Sequence, residues 1–214
     1  MRLAFTNNEA QLGSTLVGFL KLVLHTASTN MELHRNALGH QLLLNFERLN
    51  TRFLTTGKAW FGGGADLNPP LPYEEDTADF HARFRAACAA HNPTYYDRFK
   101  KWADEYFYIP HRGVHRGVGG IFYDHLECED EAAFDRHFAF TKDVGEAFLD
   151  IYPQLVRRRM ENAFTPDDKQ KQLEWRGRYA EFNLVYDRGT LFGLKTGGNI
   201  DAILMSLPPL ARWS

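Results

Sequence analysis

The pattern that most constrains the fold of this chain lies near its carboxyl end, between Arg178 and Asp187. There the residue types alternate with a period of two, which would place alternate residues on opposite faces of an extended strand. One face would carry Ala180, Phe182, Leu184 and Tyr186, and the other Tyr179, Glu181, Asn183, Val185 and Asp187. The alternation predicts a half-buried strand with a polar face.

Two short turns follow this predicted strand. The first, residues 187–190 (DRGT), leads into residues 191–195, and the second, residues 196–199 (TGGN), leads into the apolar run 200–207. Consecutive strands joined by short turns are typical of an antiparallel sheet. Because helical patterns precede them, the predicted fold class is α+β.

Apolar residues recur every three or four positions in several earlier segments, which predicts helices there. These segments are Leu12–Leu24, Phe80–Cys88, Tyr95–Tyr106 and Phe134–Ile151. A further helix is predicted from Thr165 to about Trp175, because Thr165 and Pro166 are favoured at a helix start and two acidic residues follow.

Glycine-rich segments indicate two further strands. Residues 60–67 (WFGGGADL) contain three consecutive glycines, which disfavour a regular helix and permit close backbone approach. We interpret this segment as a strand that bends at a site. A second glycine-rich strand is predicted over residues 117–123.

Composition excludes several classes of protein. The 25 Lys and Arg residues nearly balance the 27 Asp and Glu residues, so the net charge of -2 gives no overall field that would attract nucleic acid or an anionic membrane. Two cysteines are too few for a disulfide framework and are typical of a reducing compartment. Residues 12–24 are too short to span a membrane. We therefore expect a single cytoplasmic domain over residues 1–214.

Polar residues stand beside the glycines and turns. Asp66 follows the triple glycine, His111, Arg112 and Arg116 precede Gly119, and Asp187 and Arg188 begin a turn. Taken singly, an aspartate at a turn or a histidine on a helix, such as His81, is more often structural than functional. Their combination predicts a functional site.

Five ordered segments resemble signatures of one family. They are residues 60–67 (WFGGGADL), 100–107 (KKWADEYF), 111–123 (HRGVHRGVGGIFY), 176–190 (RGRYAEFNLVYDRGT) and 192–209 (FGLKTGGNIDAILMSLPP). Together they resemble the bacterial form of oxygen-dependent coproporphyrinogen III oxidase, over about residues 50–213. Long ordered strings of this kind are far more specific than any single motif.

The resemblance implies a fold and an activity. The implied subunit has a large antiparallel sheet flanked by helices on both faces, and it forms a homodimer, here through about residues 179–213. The implied reaction converts two propionates of coproporphyrinogen III into vinyl groups, giving protoporphyrinogen IX in haem biosynthesis. Molecular oxygen is the co-substrate, and no organic cofactor is needed.

The resemblance also implies roles for particular residues. Asp187 and Asp66 match the family's two cleft aspartates, and a buried aspartate can remove a proton from a pyrrole N–H. Arg188 matches a catalytic position, and a guanidinium can bind a propionate through two parallel hydrogen bonds. The remaining positions are substrate-binding Asn50, Arg52, Gly197, Gly198 and Asn199, and His81 and His111, which match two of four histidines that could contact a divalent metal ion.

Two departures from the family leave an alternative open. The family begins roughly a hundred residues earlier, and its proton-donor histidine falls on Arg48 here. A guanidinium cannot exchange a proton near pH 7. The alternative is therefore a non-catalytic relative that binds porphyrinogen or only dimerises. A mononuclear iron oxygenase that uses His81 and His111 lacks a visible set of ligands.

Overall fold

The computed structural model describes residues 41–43, 59–205 and 207–213. The strands in these ranges are β1 (Gln41–Leu43), β2 (Ala59–Asn68), β3 (Tyr108–Ile109), β4 (Val114–His115) and β5 (Gly120–Cys128). The helices are α1 (Glu74–His91), α2 (Tyr95–Tyr106), α3 (Glu131–Arg159), α4 (Pro166–Val185), α5 (Arg188–Lys195) and α6 (Ile200–Leu204). Most of the described residues are therefore helical.

The sheet is smaller than the resemblance implied. Strands β1, β2 and β5 form a three-stranded antiparallel sheet with β2 in the middle, and β3 pairs with β4 over two residues. The prediction of a large antiparallel sheet flanked by helices on both faces is wrong for the described residues. The physical reason is that residues 178–185, 188–195 and 200–204, which we had predicted to supply strands, form helices instead.

The segment from Arg178 to Asp187 is not a strand, because residues 178–185 continue α4 and Asp187 precedes α5. Its sequence satisfies two periods at once, because Tyr179, Phe182 and Asn183 also lie on one face of a helix. All three are buried, whereas Leu184, which a strand would have buried beside Phe182, is 43% exposed. Contacts made by the helical face therefore decide between the two patterns, and α4 runs ten residues beyond the predicted end at Trp175.

The two predicted turns are the starts of helices. The Asp187 carboxylate accepts a hydrogen bond from the Thr190 backbone N–H at 2.7 Å, which makes Asp187 the N-cap of α5. Asn199 caps α6 in the same way, by accepting from the Ala202 N–H at 3.3 Å. Asp and Asn are favoured both at turns and at helix N-caps. The strands predicted over residues 191–195 and 200–207 are wrong for this reason.

The other predicted elements are confirmed where the structure describes them. Helices α1, α2 and α3 contain the three segments with helical spacing, and β2 contains the first glycine-rich strand. The second, predicted over residues 117–123, begins three residues later as β5 and runs to Cys128. Thr165 and Asp168 form a capping box at the start of α4, as their sequence predicted. The predicted helix at Leu12–Leu24 lies outside the described residues.

One face of the sheet supports the main hydrophobic core. Side chains of Leu67 and Ile121 pack there with aromatic residues from α1, α2 and α3. These aromatic residues are Phe80, Phe84, Phe99, Phe140 and Phe148. The core also holds Cys88, whose burial raises the pKa of its thiol to about 12, and both cysteines are free, as composition predicted. In the described ranges no helix is long and apolar enough to cross a membrane.

The opposite face of the sheet holds polar residues. Successive residues of a strand point to opposite sides, so Gly64, Asp66 and Asn68 face away from Leu67 and the main core. Phe122 lies directly opposite Gly64 in the register of β2 and β5, and therefore lies on the same face. A smaller hydrophobic cluster from α2, α4 and the β3 strand covers this face.

Gly177 lets the carboxyl-terminal segment lie against α4. The Arg212 backbone N–H donates to the Leu173 carbonyl at 3.0 Å, and a Cβ added at Gly177 would stand 2.1 Å from the Arg212 carbonyl oxygen. In Gly177→Ala we expect this segment to detach. Overall stability should change little, because the gain of about 1 kcal/mol in helix propensity offsets the lost hydrogen bond.

Carboxypeptidase digestion followed by mass spectrometry measures the detachment. Residues beyond Arg212 should be removed faster from Gly177→Ala than from the wild-type chain. Gln170→Ala, which removes only the contact with the Arg212 side chain, should have a smaller effect. Equal digestion of Gly177→Ala and wild type would contradict this packing.

Candidate active site

The triple glycine of β2 accommodates strand β5. A Cβ at Gly62 would lie 2.6 Å from Asp124 Oδ1, one at Gly63 would lie 2.9 Å from the Tyr123 hydroxyl, and one at Gly64 would lie 2.7 Å from the Ile121 carbonyl oxygen. These distances are shorter than real Cβ contacts. At Gly64 the obstacle is the backbone of β5, so only glycine fits there without displacement of that strand, whereas at Gly62 and Gly63 an added Cβ would have to displace a side chain of β5. The close backbone approach that the glycines predicted is therefore an approach of β5 to β2. It holds β2 in place beside β5 up to Asp66.

Asp66 lies in a buried polar network. It is 3% exposed and accepts hydrogen bonds from the Asn68 amide and from the guanidinium of Arg116, which is fully buried. Arg116 also donates to Asn183 Oδ1 on α4 at 3.2 Å, and its guanidinium carbon lies 3.9 Å from the centre of the Phe107 ring. The Asp66 charge is thus balanced by a guanidinium that is itself hydrogen-bonded and stacked.

Two atoms of this network have no hydrogen-bond partner among the described residues. They are Asn68 Oδ1 and Arg116 Nε, and both are buried. Gly117 closes over the first of them, since a Cβ there would stand 2.5 Å from Asn68 Oδ1. Buried polar atoms without a hydrogen-bond partner are uncommon and cost free energy, and each needs an explanation, such as a catalytic role or a bound water.

Asp187 lies at the junction between α4 and α5. It is 3% exposed, and its two carboxylate oxygens have different partners. Oδ2 accepts from the Thr190 N–H at 2.7 Å, and Oδ1 accepts from the Tyr106 hydroxyl at 3.1 Å. Arg188 is exposed, and its guanidinium carbon lies 5.9 Å from the centre of the Tyr106 ring. A buried carboxylate and an accessible guanidinium are therefore adjacent in sequence and share one tyrosine.

The carboxyl-terminal turn of α4 connects the two aspartates. Asn183, which binds Arg116, lies one helical turn before Asp187. Phe182 packs against the rings of Tyr106 and Phe107, with ring centres 5.8 and 5.6 Å apart. The structure thus places Asp66 and Asp187 in one connected set of contacts on the polar face of the sheet.

Comparison with known proteins identifies the family. The family model described as coproporphyrinogen III oxidase matches residues 24–214. The chain belongs to the coproporphyrinogen III oxidase family. An oxygen-dependent coproporphyrinogen-III oxidase of Rickettsia bellii (strain OSU 85-389) is 54% identical over 165 residues, and one of Rickettsia africae (strain ESF-5) is 53% identical. Each alignment covers 77% of this chain and 58% of the relative, so the chain spans less than two-thirds of their length.

The glycine segment that resembles the oxidase family's substrate-contacting backbone lies between α5 and α6. Gly197 has a φ of +71°, which glycine adopts without strain, and the Gly198 N–H donates to the Gly193 carbonyl at 2.9 Å. Asn199 caps α6. All three residues are exposed, and among the described contacts none of them hydrogen-bonds with Asp66, Asp187 or Arg188. In the structure these three residues connect α5 to α6.

His81 uses both nitrogens of its ring. Nε2 lies 3.0 Å from the Val118 carbonyl oxygen, which can only accept, so Nε2 carries the hydrogen and Nδ1 accepts from the Tyr96 hydroxyl at 2.8 Å. Desolvation by burial is the main cause that lowers the pKa of His81, so the neutral ring is favoured.

Both ring nitrogens of His111 also have partners, one on α4 and one at the carboxyl-terminal end of α4. Nε2 donates to the Glu181 carboxylate and Nδ1 lies 2.6 Å from the Tyr186 hydroxyl. Burial alone would raise the pKa of Glu181, but hydrogen bonds from His111 and Arg112 outweigh it and lower the pKa below its usual value. The described residues contain no group of three or more His, Cys, Asp or Glu side chains placed to hold a metal ion. Within the described part of the chain both rings are held by protein partners, and the assignment of His81 and His111 to a metal site stays a prediction.

Some predicted residues lie outside the described part of the chain, and some contributors were not predicted. Asn50, Arg52 and Arg48 lie outside it. Tyr106 was predicted only as an apolar helix residue, and Asn183 only as part of a polar strand face. No periodic pattern signals that either side chain binds a particular acidic or basic group, so the sequence carried little sign of their part in the site.

Proposed function

We propose that this protein catalyses the oxygen-dependent conversion of coproporphyrinogen III into protoporphyrinogen IX. Its family membership and the names of its relatives support the reaction. The observation that carries the proposal is the adjacent pair at the start of α5, in which Asp187 is buried and hydrogen-bonded while Arg188 is exposed. The substrate offers both groups a partner, since it has pyrrole N–H groups and propionate carboxylates.

In the proposed mechanism Arg188 binds a propionate and Asp187 acts as the base. A guanidinium stays charged at any working pH and matches a carboxylate with two parallel hydrogen bonds. Asp187 takes a proton from a pyrrole N–H, which makes the ring electron-rich enough to react with dioxygen. The propionate then loses carbon dioxide, one proton and two electrons to become a vinyl group. Dioxygen accepts the two electrons, and a second propionate follows.

Asp66 stabilises this site through other residues. Its carboxylate holds Arg116, which in turn holds Asn183 one turn before Asp187. We therefore assign Asp66 the task of keeping the end of α4 in register with the sheet, and we expect its replacement to affect turnover less than replacement of Asp187. Gly197, Gly198, Asn199, Asn50 and Arg52 remain proposed substrate contacts on the basis of the family resemblance.

An assay of the whole chain tests the proposal. Coproporphyrinogen III is incubated with the protein in air, and the products are oxidised to fluorescent porphyrins and separated by chromatography. The proposal requires porphyrins with one and then two vinyl groups. The alternative, a relative that binds without turnover, is favoured by Arg48 at the position of the family's proton donor. It requires binding of coproporphyrin III with no vinyl product.

We further propose that the segment from Tyr179 to Trp213 forms a homodimer interface. Among the described residues, eight of the eleven exposed large apolar side chains lie in this segment. They are Leu184, Val185, Phe192, Leu194, Ile200, Met205, Leu210 and Trp213. Monomeric proteins rarely expose so many large apolar side chains in one short stretch, and a second copy of the chain would cover them.

Light scattering tests the interface. The wild-type chain should be a dimer at micromolar concentration, and Phe192→Asp should be a monomer, because Phe192 is 63% exposed and a charge there would be buried on association. Phe164→Asp is the matched control, since Phe164 is 46% exposed but lies outside the segment. It should remain a dimer. A monomeric wild type, or a dimeric Phe192→Asp, would count against this interface.

A further inference from the structure

One hydroxyl group touches both members of the catalytic pair. The Tyr106 O–H donates to Asp187 Oδ1 at 3.1 Å, and its oxygen accepts a hydrogen bond from the Arg188 backbone N–H at 3.3 Å. A phenol can donate one hydrogen bond and accept others, so the two contacts are compatible. Tyr106 therefore fixes the position of the Asp187 carboxylate and of the backbone that follows it.

The ring of Tyr106 is fixed by the sheet. It stacks on Phe122 of β5, with ring centres 4.9 Å apart and planes 12° from parallel. Phe122 is held in turn by β2, because a Cβ at Gly64 would stand 3.1 Å from its ring. Because Gly64 has no side chain, the Phe122 ring can lie against β2, and the Tyr106 ring stacks on Phe122. Asp66 follows Gly64 on the same face of the same strand.

The other described hydrogen bond to the Asp187 carboxylate does not provide this connection. Thr190 binds Oδ2 from within α5, an eight-residue helix with no buried residues. That contact fixes Asp187 relative to α5 but not relative to the sheet. Tyr106 lies at the end of α2 and bridges the junction to the sheet through Phe122.

We infer that Tyr106 is a positioning residue that holds Asp187 and Arg188 at the geometry needed for proton abstraction and propionate binding. This inference rests on the proposed function. The hydroxyl orients the Asp187 carboxylate, and the ring provides a surface against which the Arg188 guanidinium lies. A misplacement of a reacting group by about 1 Å can cost on the order of a hundredfold in rate, so loss of one orienting bond has a measurable effect.

Two variants separate the two contributions of Tyr106. Tyr106→Phe removes the hydroxyl and keeps the ring, so kcat should fall about tenfold with KM unchanged within twofold. Tyr106→Leu removes both, so affinity for coproporphyrin III, a stable fluorescent probe, should also fall about fivefold. Tyr108→Phe is the matched control, since Tyr108 is exposed and contacts neither Asp187 nor Arg188 in the described part of the chain. The kcat of Tyr108→Phe and its affinity for coproporphyrin III should stay at the wild-type level.

A non-additive effect distinguishes positioning from a general structural role. In an Asp187→Asn background, Tyr106→Phe should lower the remaining rate no further, because the carboxylate that it orients is already gone. The inference is overturned if the wild type turns over and Tyr106→Phe does so equally fast.

The binding measurement decides the outcome where turnover does not. If the wild type makes no product, the proposed function fails, yet weaker coproporphyrin III binding by Tyr106→Leu than by Tyr106→Phe and Tyr108→Phe supports the positioning of Arg188. Equal binding by all four proteins overturns it. If the wild type does not bind coproporphyrin III, both the function and the inference are overturned.

Discussion

Arg116→Leu is expected to lower the free energy of unfolding by about 3–5 kcal/mol, the cost of breaking a buried ion pair by removing one partner. The substitution leaves the Asp66 carboxylate buried at 3% exposure without its guanidinium. It also leaves Asn183 Oδ1 without its donor. Urea unfolding followed by circular dichroism measures the change. Since stabilities of small domains are about 5–15 kcal/mol, a folded but weakened protein is the expected product.

Two further variants show whether the uncompensated charge is the cause. Asp66→Asn combined with Arg116→Leu removes both charges, so the pair should be less destabilised than Arg116→Leu alone. Arg98→Leu removes an exposed arginine that lies over the Phe99 ring at 5.5 Å and should cost less than about 1 kcal/mol. An Arg116→Leu variant as stable as Arg98→Leu would show that the buried network contributes little.

Asp187→Asn is expected to reduce vinyl formation at least about a hundredfold, the scale of a lost general base. Asparagine is nearly isosteric with aspartate and is equally favoured at a helix N-cap, so α5 should still form. Folding and coproporphyrin III binding should therefore change little. Product porphyrins are quantified by fluorescence after chromatography.

The matched control is Asp167→Asn, because Asp167 is exposed in the first turn of α4 and far in sequence from the junction. It should turn over at the wild-type rate. Asp66→Asn should fall between the two, since its effect passes through Arg116 and Asn183. Normal turnover by Asp187→Asn would show that another group is the base.

Some of the fold follows from spacing alone. The aromatic residues of α1, α2 and α3 recur every three or four positions, and packing in the core agrees with that period. Residues 178–187 were ambiguous, because alternation and a helical stripe share Tyr179, Phe182 and Asn183. Local sequence could not choose between them. The burial of one helical face in the folded chain decides for the helix.

Two aspartates of the candidate site were predicted from the sequence. Asp66 and Asp187 were predicted because they stand beside glycines or a turn together with other polar residues, and both are buried and hydrogen-bonded in the structure. Their partners were not predictable, because Arg116 lies 50 residues from Asp66 and Tyr106 lies 81 residues from Asp187. Only the folded chain brings such distant residues together. The helical spacing already explained Tyr106 as a core residue, so nothing in the sequence pointed to a hydrogen bond from its hydroxyl group.

We propose that this chain oxidatively decarboxylates coproporphyrinogen III at the junction of α4 and α5. The reaction is measured as the yield of carbon dioxide from coproporphyrinogen III labelled at the propionate carboxyls, with the purified protein under air and under nitrogen. We expect two carbon dioxide molecules for each protoporphyrinogen IX formed under air, and none under nitrogen. It is contradicted if the protein binds the labelled substrate under air and releases no carbon dioxide, or if release proceeds equally without oxygen.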